Sequence, residues 1–421
     1  MSIPLDRLYH YIEDIAKQIY GDIVLIYCFY PHGSKKLENL SGIRTHTNDW
    51  ITDSTALNIY MHDQEPLNYD MYENYDLETC DYHTLYKKLN VPVAQNIRIY
   101  GCVYDKVLLV HSEQRSANLE KYQQNYFITV YYWNHAILAL DWFRYAEHVA
   151  VKKSSTTKFL IYNRAWSGTR EYRLKFADLL IDHDLVGHCK TSLGFVDTDI
   201  HYSDYKFKNN SWKPNNVLEN YFSTNLTTSN YSADFDEYDY QTTDIEIVLE
   251  TLFDDDRLHL TEKSLRPMAL AQPFILATTH GSLEYLRSYG FKTFDSVWDE
   301  GYDKQTDPEK RLNEIVMLMR EISQWDETTR TQKLAQAQAI ADYNKQHFFS
   351  KEFLKMITME LHANLTSAVG QFRSSISYQK WVNKWNYLLT QPCILEYLDA
   401  NQDIRAATKP QVDYLLKKFS C

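Results

Sequence analysis

Short apolar, β-rich runs alternate with stretches of helical period in both halves of the chain. This alternation constrains the fold most, because strand–helix repeats build parallel sheets covered by helices. Residues 23–30, 56–61, 107–111 and 127–132 read as buried strands, with helix-like stretches at 5–20, 80–89 and 136–149. In the first of these Leu8, Ile12, Ile15 and Ile19 share one face, and Gly21 stands where a helix stops. After the polar, turn-prone residues 152–158 the pattern starts again: strand 159–162, helix 171–182, strand 245–251, helix 262–271, strand 273–277, helix 283–289. From Asp307 it is helical only, with Leu312, Ile315, Met319 and Ile322 on one face, then 331–343, 351–361, 378–389 and 411–419. A chain of 421 residues exceeds one ordinary core. The expected organisation is an α/β domain at 1–151, a second at 152–345, and helices at 346–421 crossing back toward the first. Residues 197–243, rich in Asn, Ser, Asp and Tyr, are too long for an ordinary loop and read as a lid or a mobile insertion.

Charge and composition narrow the function. Lys plus Arg number 44 and Asp plus Glu 56, a formal net charge of −12, which disfavours a chain wrapped in nucleic-acid phosphates. Local basic patches remain at Lys35-Lys36, Lys87-Lys88, Lys152-Lys153 and Lys417-Lys418. No apolar run reaches the ~20 residues of a membrane span, and the first residues lack a signal peptide's basic and apolar regions. A soluble, cytoplasmic protein with no membrane partner is expected. The six cysteines form no C-x-x-C pair and read as reduced thiols. The 34 tyrosines suit half-buried strand positions, and could also stack on sugars or bases.

The most informative stretch is residues 258–276. Thr261 is a good N-cap, so Glu262 and Lys263 fall in the first helical turn just after a strand, at the sheet edge where α/β proteins bind ligands. A carboxylate there can accept both hydroxyls of a ribose, and an ammonium with the N–H groups of the helix end can hold a diphosphate. A capped helix with a solvated Glu and Lys is the plain alternative. With 11 glycines and neither a Walker loop nor G-x-G-x-x-G, phosphate binding must come from helix ends and basic side chains.

Thr-Glu-Lys, a helix, a Pro-led apolar strand and a small-residue loop resemble the nucleotide-sugar site of GT-B glycosyltransferases, and fucosyltransferases and exostosin-like enzymes have a similar Glu-Lys. The likeness continues through residues 281–286, 290–294 and 299–303, covers about 159–320, and is greatest to glycosyltransferases of bacterial viruses. It implies two facing Rossmann-like domains with C-terminal helices, a UDP- or GDP-linked sugar donor, Glu262 on ribose and Lys263 on phosphate. It also implies inversion, and the transfer is expected to be metal-independent, since lysine, arginine and the helix dipole can stabilise the departing diphosphate. The acceptor would be a hydroxymethylated base in phage DNA, with a glycan or a small molecule, or a non-catalytic binding protein, as alternatives.

Other residues then acquire expected roles. Related sugar transferases place a basic residue where Arg164 ends a strand; Arg170 and Arg173 serve the same diphosphate or form a solvated face, and Trp166 stacks on a base or packs between domains. In the first half, His62, Asp63 and Glu65 lie at a strand's carboxyl end, where an acceptor hydroxyl needs a general base. Asp63 is placed first, Glu65 second and His62 as orienter, against a plain polar turn before Pro66. His111, Glu113 and His135 end further strands and are acceptor or sugar contacts. Asp197-Thr198-Asp199 and Asp234-Phe235-Asp236 resemble the metal-holding D-x-D of the other major glycosyltransferase fold, but read as solvated loop carboxylates. No zinc spacing or nucleophile elbow occurs.

Overall fold

The computed structural model describes residues 8–21, 24–29, 57–62, 66–67, 107–117, 119–120, 123, 127–149, 151, 153–154, 157–223 and 235–374. The expected helices at 80–89, 378–389 and 411–419 lie outside them, as do Asp63, Glu65, Asp234 and every lysine of the expected basic patches except Lys153. The chain is mixed α/β with parallel sheets. It forms two compact units, one of Pro4–Asn134 with Ile357–Cys421 and one containing His135–Met356.

In the first unit the helix α1 (Leu8–Tyr20) precedes β1 (Val24–Phe29), β2 (Leu57–His62), β3 (Val107–His111) and β4 (Phe127–Tyr131). They form a parallel sheet in the order β1-β2-β3-β4. Alternation places Leu57, Ile59 and Met61 in the core with Leu108, Val110, Ile128 and Val130. The amphipathic α1 buries Ile12, Ile15 and Ala16 while Asp14 and Lys17 face water. The last described helix, Lys351–Ser374, contributes its second half here: Asn364 Nδ2 donates to Tyr131 O at 2.7 Å, and the Phe372 and Tyr20 rings meet at 6.2 Å.

The second unit runs α2 (Asn134–Trp142), β5 (Thr157–Asn163), α3 (Tyr172–Asp182), β6 (Cys189–Leu193), a two-residue hairpin β7 (Val196–Asp197) and β8 (Ile200–His201), α4 (Glu237–Thr242), β9 (Thr243–Leu249), α5 (Glu262–Ala269), β10 (Phe274–Ala277), α6 (Ser282–Ser288), α7 (Pro308–Ser323), α8 (Glu327–Phe348) and the start of α9 (Lys351–Ser374). The sheet order is β10-β9-β5-β6, all parallel. From β5 the chain moves outward to β6, then returns to the other side of β5 for β9 and β10. The reversal makes a topological switch point between the carboxyl ends of β5 and β9, the place where open α/β sheets bind ligands.

Three expectations need correcting. The strand β6 was not foreseen, because Cys-Lys-Thr-Ser-Leu lacks an apolar run; as an edge strand it needs none. Residues 197–223 are not a mobile insertion: Tyr202, Phe207, Trp212, Leu218 and Phe222 are buried, and Asp178 of α3 accepts the amides of Asn215 and Asn216 at 3.0 and 2.9 Å. Lys153 belongs neither to a free linker nor to a basic patch. Its ammonium donates to Tyr240 O and Thr243 O at 2.8 and 3.0 Å and contacts Gln272 Oε1, and burial pulls it down to about 8.

Candidate functional site

The site is built at the switch point from the ends of β5 and β9. The strand β9 is buried at every position, and it ends two residues earlier than its apolar pattern predicts, so Glu250 falls just beyond it. Glu250 is fully buried. One of its oxygens, Oε1, accepts the Thr261 amide at 2.9 Å and the Ser264 hydroxyl at 2.6 Å; the other accepts the Thr261 hydroxyl at 2.8 Å and the Thr251 amide at 3.1 Å. Hydrogen bonds to a charged group contribute about 1.5–3 kcal/mol each. Glu250 thus clamps the chain that leaves β9 to the first turn of α5.

That clamp fixes Thr261, Glu262 and Lys263. Thr261 caps α5, its hydroxyl accepting from the Lys263 amide at 3.4 Å and from Lys263 Nζ at 3.2 Å. Neither Glu262 nor Lys263 is a solvated surface residue: their side chains are 6% and 17% exposed, and Lys263 Nζ donates to Glu262 Oε1 at 2.7 Å. On the other side of the carboxylate stands His135, wholly buried in the first turn of α2, with Nδ1 3.5 Å from Glu262 Oε2. Burial works to raise the Glu262 carboxyl, but the Lys263 charge and the His135 imidazole outweigh it and hold it well below the usual range. The His259 ring lies edge-on to His135 with centroids 5.1 Å apart. The result is a buried, ionised carboxylate at a helix N-terminus, flanked by a partly accessible ammonium and the His135 imidazole.

Beside it, the turn after β5 carries the arginines. Arg164 and Arg170 are half-buried. Arg173 is neither a diphosphate ligand nor part of a solvated face: it is buried, and its guanidinium donates to Ala165 O and Leu249 O at 2.6 Å each and to Glu250 O at 3.1 Å, tying the ends of β5 and β9 together. Trp166 is also buried, bonded through Nε1 to Gly194 O at 2.8 Å and edge-on to Tyr205 at 5.0 Å, so it serves packing inside this unit. Gly194 is required there, since a Cβ would stand 2.9 Å from Arg164 O.

Asp197 is not a solvated loop carboxylate: it accepts the amides of Trp166 and Ser167 at 2.8 and 2.7 Å. Burial works to raise its carboxyl, but the Ser167 and Trp166 bonds and the Arg170 charge hold it below its usual value. Glu171 accepts the Tyr205 hydroxyl at 3.1 Å and the amides of Lys208 and Asn209 at 2.9 and 3.1 Å, so the same segment braces the whole arginine turn. Asp236, of the other D-x-D, caps α4 through the Tyr238 amide at 2.9 Å. At β10 the next helix end is closed by the protein itself: Asp303 accepts the Ser282 and Leu283 amides at 3.0 and 3.2 Å.

In the first unit, His62 ends β2, and His111, Ser112 and Glu113 follow one another, all buried, at the carboxyl end of β3. Glu113 accepts the Leu67 amide and donates its own amide to His111 Nδ1 at 3.2 Å. This couples the β3 edge to the residues just after the expected base. His135 stands beside Glu262. Among the described residues no group of three or more His, Cys, Asp or Glu side chains could hold a metal ion, and no helix is long and apolar enough to cross a membrane. Sequence reasoning missed Glu250 and His259; a charged residue closing an apolar run, with Thr and Ser in the helix start that follows, was the available signal for Glu250.

No family model matches the chain, and comparison with curated proteins and with solved structures gave no significant match.

Proposed function

We propose that this protein is a glycosyltransferase that moves a sugar from a nucleotide-sugar to an acceptor hydroxyl. The observation that carries the reading is the Glu262–Lys263 pair at the start of α5, beside the switch point of a parallel sheet. An ionised carboxylate suits the two hydroxyls of a ribose, and an ammonium at a helix N-terminus suits a diphosphate. Arg164 and Arg170 would meet charge developing on the departing diphosphate, which dispenses with an obligatory metal. The two units would be Rossmann-like domains facing each other in the GT-B manner, the first presenting the acceptor. Asp63, with Glu65 next in line and His62 as orienter, would take the acceptor proton in a single inverting displacement. His111 and Glu113 would contact acceptor or sugar.

The acceptor we propose is a hydroxymethylated base in DNA. Mass spectrometry of hydroxymethylated DNA incubated with the protein and UDP- or GDP-linked sugars tests this directly, and the expected result is a mass increase of one hexose or related sugar per modified base. Asp63→Asn should abolish the transfer, a loss of about 100-fold or more for a missing general base, while leaving nucleotide-sugar affinity within a few-fold. Binding to DNA should weaken steeply with added salt. A flat salt response with transfer to a neutral glycan would move the acceptor class, and nucleotide-sugar binding without any turnover would make the protein a binding module.

A further inference from the structure

Lys263 and Glu262 are adjacent in the chain, and adjacent helical residues do not ordinarily face each other. They meet because the lysine side chain folds back over the start of α5, bonding both Glu262 Oε1 and Thr261 Oγ1. The parts of this arrangement differ in freedom. Thr261 is clamped by Glu250 through its amide and its hydroxyl. Glu262 has a second partner in the wholly buried His135. Lys263 is the most exposed of the set, at 17% of its side chain, and it alone has a long, unbranched, rotatable stem.

From this we infer that Lys263 exchanges partners when a ligand binds: it rests on Glu262 until a diphosphate draws it away, and only then is Glu262 Oε1 open to a ribose hydroxyl. The inference rests on the nucleotide-binding reading of this site and deepens it. Ribose and phosphate recognition become one coupled event. A nucleoside without phosphates must compete with Lys263 for the carboxylate, so the pair selects nucleoside diphosphates over nucleosides beyond the phosphate contacts themselves. Glu262 stays ionised during the exchange because His135 remains beside it and the departing ammonium is held near by the phosphate. The selectivity is an affinity penalty set by the fraction of time Lys263 spends on Glu262.

The test is calorimetric titration of UDP and uridine, and of GDP and guanosine, into the wild-type chain and Lys263→Met. Loss of a charge-assisted contact should weaken the diphosphate about 10-fold or more. At the same time the nucleoside should bind about 3- to 10-fold more tightly, because its competitor is gone. A second measurement needs no variant: in the wild type, inorganic pyrophosphate should tighten nucleoside binding by a similar factor, since it draws Lys263 off the carboxylate. A nucleoside that binds no better to Lys263→Met, together with no effect of pyrophosphate, would overturn the exchange while leaving the nucleotide site standing. If neither diphosphate binds the wild type, or if Lys263→Met binds it unchanged, the reading of the site itself fails and the exchange with it.

Discussion

Two acid–base pairs lie along the single helix α5, and they are built for opposite purposes. At its start Lys263 meets Glu262 through one flexible contact of 2.7 Å with the ammonium partly open to solvent. Further along, Arg266 meets Glu246 at 2.6 Å with both side chains almost wholly buried. There the guanidinium Nε also donates to the Tyr240 hydroxyl at 2.9 Å, that hydroxyl donates to Glu246 Oε2 at 2.6 Å, and the guanidinium sits 4.6 Å from the Tyr162 ring centroid. The planar arginine is satisfied on several sides and has nowhere to move; the lysine is held by two contacts at the tip of a flexible, partly exposed stem and can leave. We propose the first pair as a ligand site, whereas the second is architecture, although both look alike as Glu–cation contacts.

Breaking the architectural pair should have the largest effect. Arg266→Met leaves the Glu246 carboxylate buried and uncompensated, and should destabilise the fold by about 3–5 kcal/mol. Thermal unfolding measures this, and a smaller loss in the Arg266→Met/Glu246→Gln double variant would show that the stranded charge is responsible. Glu250→Ala comes next, because it deprives the Thr261 amide and the Ser264 hydroxyl of their acceptor. We expect a loss of about 2–4 kcal/mol together with weakened nucleotide-sugar binding.

Glu262→Ala should leave the protein folded with a modest loss of stability, while nucleotide-sugar affinity falls about 10- to 100-fold with the lost ribose contacts. Lys263→Ala should cost less than Arg266→Met, about 1–3 kcal/mol, because it takes a charge-assisted contact from the Glu262 carboxylate but leaves His135 beside it. The pH dependence follows from the depressed carboxyl of Glu262. A depressed folded value means its ionised form contributes stability fully above the ordinary value of 4.5, and that contribution is lost only as pH falls through the lower folded value. The stability difference between wild type and Glu262→Gln should therefore stay constant from about pH 7 to about pH 5 and change below that. Denaturant titrations across this range measure it.

The sequence made some of this legible and hid the rest for identifiable reasons. Strands β1 to β5, β9 and β10 are visible because their apolar runs are continuous, and the start of α5 is visible because Thr261 is an N-cap before a helical pattern. Glu262 and Lys263 could be named as candidate ligands from that local signal. Their states could not: the partner of Glu262 is His135, and the clamp on Thr261 is Glu250, 11 residues away across a loop whose closure no local pattern encodes. Arg173 and Lys153 were misjudged for the same reason. Each looks exposed in a polar stretch, yet each donates to carbonyls of strands or helices 76 to 90 residues distant, and only the folded sheet brings them together. Asp197 was misjudged because a carboxylate in an irregular, polar segment is usually solvated, whereas here two amides of the arginine turn are aimed at it.

The central claim is that Glu262 and Lys263 hold a nucleotide-sugar, and it is tested most directly by calorimetric titration of UDP-glucose, UDP-N-acetylglucosamine, GDP-mannose and GDP-fucose into wild type and Glu262→Ala. The expected result is saturable binding of at least one of these to the wild type and a loss of about 10-fold or more in the variant, which still unfolds in a single cooperative thermal transition. Equal affinity of the two proteins, or no binding of any of these compounds to the wild type, would contradict it.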